Sequence, residues 1–281
     1  MSKQKMMREI DAPLLVSPLE ATWIRLVQLG SLTSERLRLA LTAVASVDLA
    51  LASALQQSDP QLIALGQSIE EEIGRWLAVS GEELAQSESQ RRYLCSLPLL
   101  VSTLLQLAEE TRELARLLRW LQFSNPAPLA VSRAQGGPNS SAASALLVAT
   151  LFERLTVFGQ QASALTAASV GALARRDTQE AQRLWRRQRY FRCHLARLQH
   201  DLLTSLTTPD QGVRPLESGH EASQRWLMLL WSFASSLRDI SLHGSMLCER
   251  LVYLVEGLHD IRALQRVERQ LQICCPPEQR Q

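Results

Sequence analysis

The chain has 281 residues, 46% of them hydrophobic and only 5% aromatic, enough for one large domain or two of ordinary size around a sizeable core. Its formal net charge of +2 gives no general case for nucleic-acid binding. No stretch reaches the roughly eighteen uninterrupted apolar residues of a membrane span, and the N-terminal "MSKQKMMREIDAPLL" lacks a signal-peptide core, so a cytoplasmic protein is expected. Leu, Ala, Gln and Arg are abundant while Gly and Pro are few, which favours helices over strands and predicts an all-α fold. Five cysteines, Cys95, Cys193, Cys248, Cys274 and Cys275, show neither an even count nor a C-x-x-C spacing, and read as free thiols rather than a disulfide framework or a zinc site.

In chain order, a periodic segment runs from about Ser17 to Gln57, with Leu26, Leu29, Leu37, Leu41, Val44, Leu51 and Leu55 on its apolar side. It stops at "SDP", where Asp59 suits an N-cap and Pro60 the first helical position. A second helix continues to about Ala85 and a third spans about Glu88 to Trp120. The stretch "FSNPAPLAVSRAQGGPNSS", with three prolines and a Gly-Gly pair, reads as a linker. Beyond it the same order of events recurs. A long segment from about Ser144 to Ala174 breaks at "RRDTQEA" with Asp177 as cap, continues to about Leu206, and after a loop gives a last helix from about Glu221 to Gly257.

Such repetition marks an internal duplication. Long amphipathic helices joined by short turns bury their stripes most economically as an antiparallel bundle. The expectation is therefore two tandem antiparallel three-helix bundles, residues 14–121 and 143–258, separated by a linker at 122–142. A tail at 259–281 would carry a short helix.

Charge divides unevenly: residues 1–120 hold 12 Lys/Arg and 15 Asp/Glu, residues 121–281 hold 18 and 13. Most of the excess lies in "RRDTQEAQRLWRRQRYFRCHLAR", which has eight arginines. Leu184, Phe191, Leu195 and Leu198 would form its buried stripe, leaving Arg183, Arg186, Arg187, Arg189 and Arg197 outward as a candidate docking face for phosphate, an acidic protein or a membrane surface. His194 and His200 on this helix read as surface or boundary residues, and the acidic run at 70–72 as a solvated face. Catalytic patterns do not emerge: there is no glycine-rich phosphate loop, no G-x-S-x-G and no H-E-x-x-H. Two Glu-x-x-His spacings, at 217–220 and 256–259, contain Gly and fall at helix ends, which argues against a di-iron oxidase.

The last helix, "LRDISLHGSMLCERLVYLVEG", resembles a signature of the PhoU family of phosphate-uptake regulators, close to L-E-R-I-G-D-H-A-T-N-I-C-E-x-V-x-Y-L-V-x-G. Leu237, Ile240, His243, Cys248, Glu249, Val252, Tyr253, Leu254, Val255 and Gly257 agree with it. "AEETRELARLL" at 108–118 is similar in outline to the related first-repeat signature, and "DLALASALQQSD" and "VGALARRD" echo the pattern between helices. The resemblance implies a non-enzymatic regulator. Such a protein bridges a phosphate ABC transporter and a sensor histidine kinase, forms a homodimer, and dampens the phosphate-starvation response. It also implies paired carboxylates that chelate a divalent or iron cation. In the first repeat Glu109 and Glu113 stand at the two positions, sharing one helix face at i and i+4. In the second, Arg238 and Leu242 replace them and the cation site is lost. The alternative for Glu109 and Glu113 is ion pairing with Arg112 or Arg116. An alternative for the whole chain is an adapter of the same fold that binds another protein through its Arg-rich helix.

Overall fold

A computed structural model of the chain describes residues 18–57, 59–79, 88–123, 140–207 and 218–257. The described residues form helices α1 (Pro18–Ser46), α2 (Leu49–Gln56), α3 (Pro60–Val79), α4 (Glu88–Phe123), α5 (Ser140–Arg175), α6 (Thr178–Thr207) and α7 (Ser218–Glu256), with no strand among them. The expected linker falls largely on residues 124–139, and the expected short helix near the C-terminus on 258–281, both outside the described residues.

Apolar spacing decides which face each helix buries. Trp23, Leu26, Leu29, Leu37, Leu41 and Val44 of α1 are all buried, three, four or eight residues apart, and Leu184, Phe191, Leu195, Leu198 and Leu202 of α6 are buried three, four or seven apart. The long first segment is not one helix, however. Val47 turns into the left-handed region at φ 55°, the Asp48 N–H reaches back to the Ala43 carbonyl at 2.8 Å, and the Asp48 carboxylate caps α2 by accepting the Leu51 N–H at 2.9 Å. Arg176 and Asp177 repeat this detail by detail. Arg176 has φ 54°, the Asp177 N–H donates to Ala172 O at 2.9 Å, and Asp177 Oδ1 accepts the Glu180 N–H at 2.9 Å. Each is a left-handed helix stop followed at once by an N-cap. The continuous helix expected over 17–57 is thus corrected to α1 plus α2. Val47 hid the break, because nothing in a β-branched residue announces a positive φ.

With Asp48 aligned on Asp177, the α2–α3 pair corresponds to the single helix α6. The same interval carries Asp59 onto Gln188, Glu109 onto Arg238, and Glu113 onto Leu242. The duplication therefore extends to local punctuation. The two repeats pack through matching helices. Val170 lies on Gly30 and Leu41 on Gly159, where a Cβ would meet Leu41 Cδ2 at 2.9 Å, so α1 and α5 cross antiparallel. Likewise Arg250 donates to the Leu99 carbonyl while Glu110 sits beside Ser236 and Asp239, so α4 and α7 run antiparallel. One buried apolar cluster spans all seven helices, from Trp23 and Ile69 to Leu202 and Leu254.

Candidate functional site

In the first repeat, the break between α2 and α3 builds a small polar centre. Arg36, projecting from α1, donates to the Leu55 carbonyl at 2.9 Å and the Gln57 carbonyl at 3.1 Å, and to Asp59 Oδ2 at 2.7 Å. Asp59 Oδ1 meanwhile accepts the Gln61 N–H at 2.9 Å and lies 3.4 Å from the Leu62 N, capping α3. One guanidinium thus closes the end of α2 and holds the cap of α3. Burial works against the charge of Asp59, but Arg36 and the two backbone amides outweigh it and keep its pKa below the ordinary aspartate value.

Glu109 and Glu113 lie on the neighbouring face of α4, both partly exposed. Arg112 and Arg116, each three residues on, donate to Glu109 Oε2 and Glu113 Oε1 respectively, and Arg116 also lies 3.8 Å from Glu109 Oε1. Arg36, Asp59, Glu109 and Arg112 together line a cavity of about 250 Å³, closed on its apolar side by Leu62 and Leu105.

This donor set does not fit the hard cation that the PhoU resemblance implies. Calcium takes about six to eight oxygens and magnesium about six in near-octahedral array. Here both Asp59 oxygens, both Glu109 oxygens and one Glu113 oxygen already face guanidinium or amide donors. Among the described residues, no group of three or more His, Cys, Asp or Glu is gathered as a ligand set.

The equivalent place in the second repeat holds a buried polar network around Gln188. Gln188 is fully buried and donates its amide to Ser169 Oγ at 2.7 Å. Ser241 donates to the Gln188 carbonyl at 3.1 Å, and Ser245 Oγ stands 3.4 Å from Gln188 Oε1. Arg192 bridges the Ser241 carbonyl at 3.0 Å and Ser245 Oγ. Cys248 closes the cluster with its Sγ 3.4 Å from Ser169 Oγ, and burial pushes its thiol up to about 11. Gly244 is the residue that admits Gln188, since a Cβ there would overlap the amide group. Arg238 and Leu242 are both exposed on α7, away from this network.

Between the two repeats, Glu110 and Asp239 occupy matched positions on α4 and α7. Burial, with Asp239 and Glu113 nearby, raises the pKa of Glu110 against the opposing hydrogen bond from Ser236. His243, one turn from Asp239, is held below its usual pKa by burial and by Arg250, with Asp239 pulling the other way.

The Arg-rich helix presents Arg183, Arg186, Arg187 and Arg197 to solvent along one stripe, with Tyr190, His194 and His200 between and beside them. Arg183 lies 3.4 Å from Glu180, whereas Arg189 is half-buried, turned part-way toward the bundle. Reading the sequence alone missed Arg36, Arg192 and Gln188. For Gln188, which the alignment of Asp48 on Asp177 sets on Asp59, that alignment was the available signal.

No protein-family model matches this sequence, and no curated protein matches it. Solved structures do. The crystal structure of PhoU from Pseudomonas aeruginosa superposes with a TM-score of 0.64 at 21% identity, covering 86% of this chain and 99% of that one. The phosphate transport system regulatory protein PhoU from Streptococcus pneumoniae gives 0.60 at 18% identity, covering 85% and 96%. At these identities the likeness shows the fold: the chain is built as a PhoU-type double helical bundle.

Proposed function

We propose that this chain is a PhoU-like regulator of phosphate uptake and phosphate-starvation signalling, acting in the cytoplasm by protein binding rather than by chemistry. The observation that carries this reading is the extent of the fold match: nearly the whole length of a phosphate transport regulator has its counterpart here. Among the described residues no helix is long and apolar enough to cross a membrane, so an encounter with a transporter would be a docking event. The partners expected are a phosphate ABC transporter subunit and a sensor histidine kinase, with the regulator acting as a homodimer. Tagged protein would be used to capture partners from phosphate-rich and phosphate-starved cells, alongside alkaline phosphatase assays of a deletion strain. Recovery of the transporter or kinase with derepressed phosphatase supports the reading; recovery of neither with normal phosphatase defeats it.

A second reading, an adapter of this fold with a different partner, is favoured by the exposed arginine stripe of α6. At the interval that sets Asp48 on Asp177, Arg183, Arg186 and Arg187 fall on Ala54, Gln57 and Ser58 of the first repeat, so this basic stripe has no counterpart there. Reversing Arg183, Arg186 and Arg187 to Glu should weaken capture of an acidic partner while leaving the melting temperature nearly fixed, because the three guanidiniums face solvent. Capture unaffected by the reversal excludes that face.

A further inference from the structure

We propose that this chain is a cation-independent form of its fold, in which arginines fill the electrostatic place of a divalent cation in the first repeat and a hydrogen-bonded cluster of Gln188, serines and Arg192 fills it in the second. The proposal stands apart from the choice of partner.

Charge balance is the first argument. Asp59, Glu109 and Glu113 meet Arg36, Arg112 and Arg116, three anions against three cations, so the centre is neutral as it stands. A dication placed in the cavity would lie beside the Arg36 and Arg112 guanidiniums, and repulsion at such short range offsets what the carboxylates offer.

Geometry is the second. Arg36 cannot swing aside at small cost, because it also satisfies the carbonyls of Leu55 and Gln57 where α2 ends. Its side chain is 15% exposed and that of Asp59 20%, so displacement would strand partly buried groups without partners. The third argument is the second repeat. Where Asp59 stands in one half, Gln188 stands in the other, fully buried and bonded to Ser169. Leu165 takes the place of Arg36, and no carboxylate takes that of Glu109 or Glu113. The anion and the arginine that meets it are exchanged at those two positions for Gln188 and Leu165, and the guanidinium that enters the cluster, Arg192, is itself a cation. In the first repeat each of Asp59, Glu109 and Glu113 already meets a guanidinium, so none of the three calls for a cation.

The test uses the full-length chain. Protein incubated with Mg²⁺, Mn²⁺, Fe²⁺ or Zn²⁺ and then desalted should retain far less than one equivalent of metal, and should melt at the same temperature in EDTA as in excess Mn²⁺. Retention of one equivalent or more, or a melting temperature that falls in EDTA, overturns the proposal. Arg36→Met and Asp59→Asn should each lower the melting temperature by several degrees, and the double variant by less than the two together, identically with and without chelator. An Arg36→Met protein that melts like the parent would also overturn it. Should that variant fail to fold, the metal content and chelator melts of the parent chain still decide.

Discussion

At the residue scale, the polar centres follow from what can and cannot reach them. Glu109 with Arg112, and Glu113 with Arg116, are three residues apart on one helix, so their pairing was open to a reading of spacing alone. Arg36 with Asp59 joins residues on different helices, and no periodicity announces it. Gly244 is a residue whose role appears only in three dimensions. Gly244→Ala should drive a methyl into the Gln188 amide and destabilise the chain by about 1–3 kcal/mol, which urea unfolding would measure. Glu110 yields a pH prediction. Its folded pKa lies above the unfolded value of 4.5, so the folded chain holds this proton more tightly, and stability falls as pH rises from about 4.5 through the folded value. Glu110→Gln should therefore stabilise the protein at pH 7, by less than about 1 kcal/mol since the group is only half-buried, and should change nothing below pH 4. Equal effects at both pH values would show that burial of the charge is not the cause.

At the element scale, the repeated stop-and-cap at Val47–Asp48 and Arg176–Asp177 sets where each first arm ends and the second begins. Asp177→Ala removes the acceptor for the Glu180 N–H and should cost about 1 kcal/mol, while Asp177→Asn should cost far less; thermal melts of the pair separate capping from net charge. The break was legible at Asp177, where the flanking "RRDTQEA" interrupts the apolar spacing, and illegible at Asp48, where "SVDLAL" keeps it. Helix α6 shows the complementary limit. Its buried stripe was read correctly from spacing, since burial of Leu184, Phe191, Leu195 and Leu198 fixes the rotation of the helix. Of the arginines expected outside, Arg189 is half-buried, a difference of side-chain reach that periodicity does not resolve.

At the scale of the whole molecule, the repeats are not independent. The α1–α5 and α4–α7 crossings carry one buried core through both halves. The full chain should therefore unfold in a single transition, and residues 1–123 expressed alone should lose near-ultraviolet circular dichroism and bind a hydrophobic dye; a cooperative melt of that half with native-like side-chain signals would contradict this. The amino-acid sequence by itself determined the all-helical class, the duplication and most helix limits, because these rest on local spacing and on caps that act within a turn. It also displayed the last-helix signature that resembles PhoU. Only the tertiary structure decided how the repeats cross and which groups neutralise the carboxylates. It alone showed that Gln188 stands buried where Asp59 would be, since each of these depends on residues far apart in the chain whose proximity is set by packing.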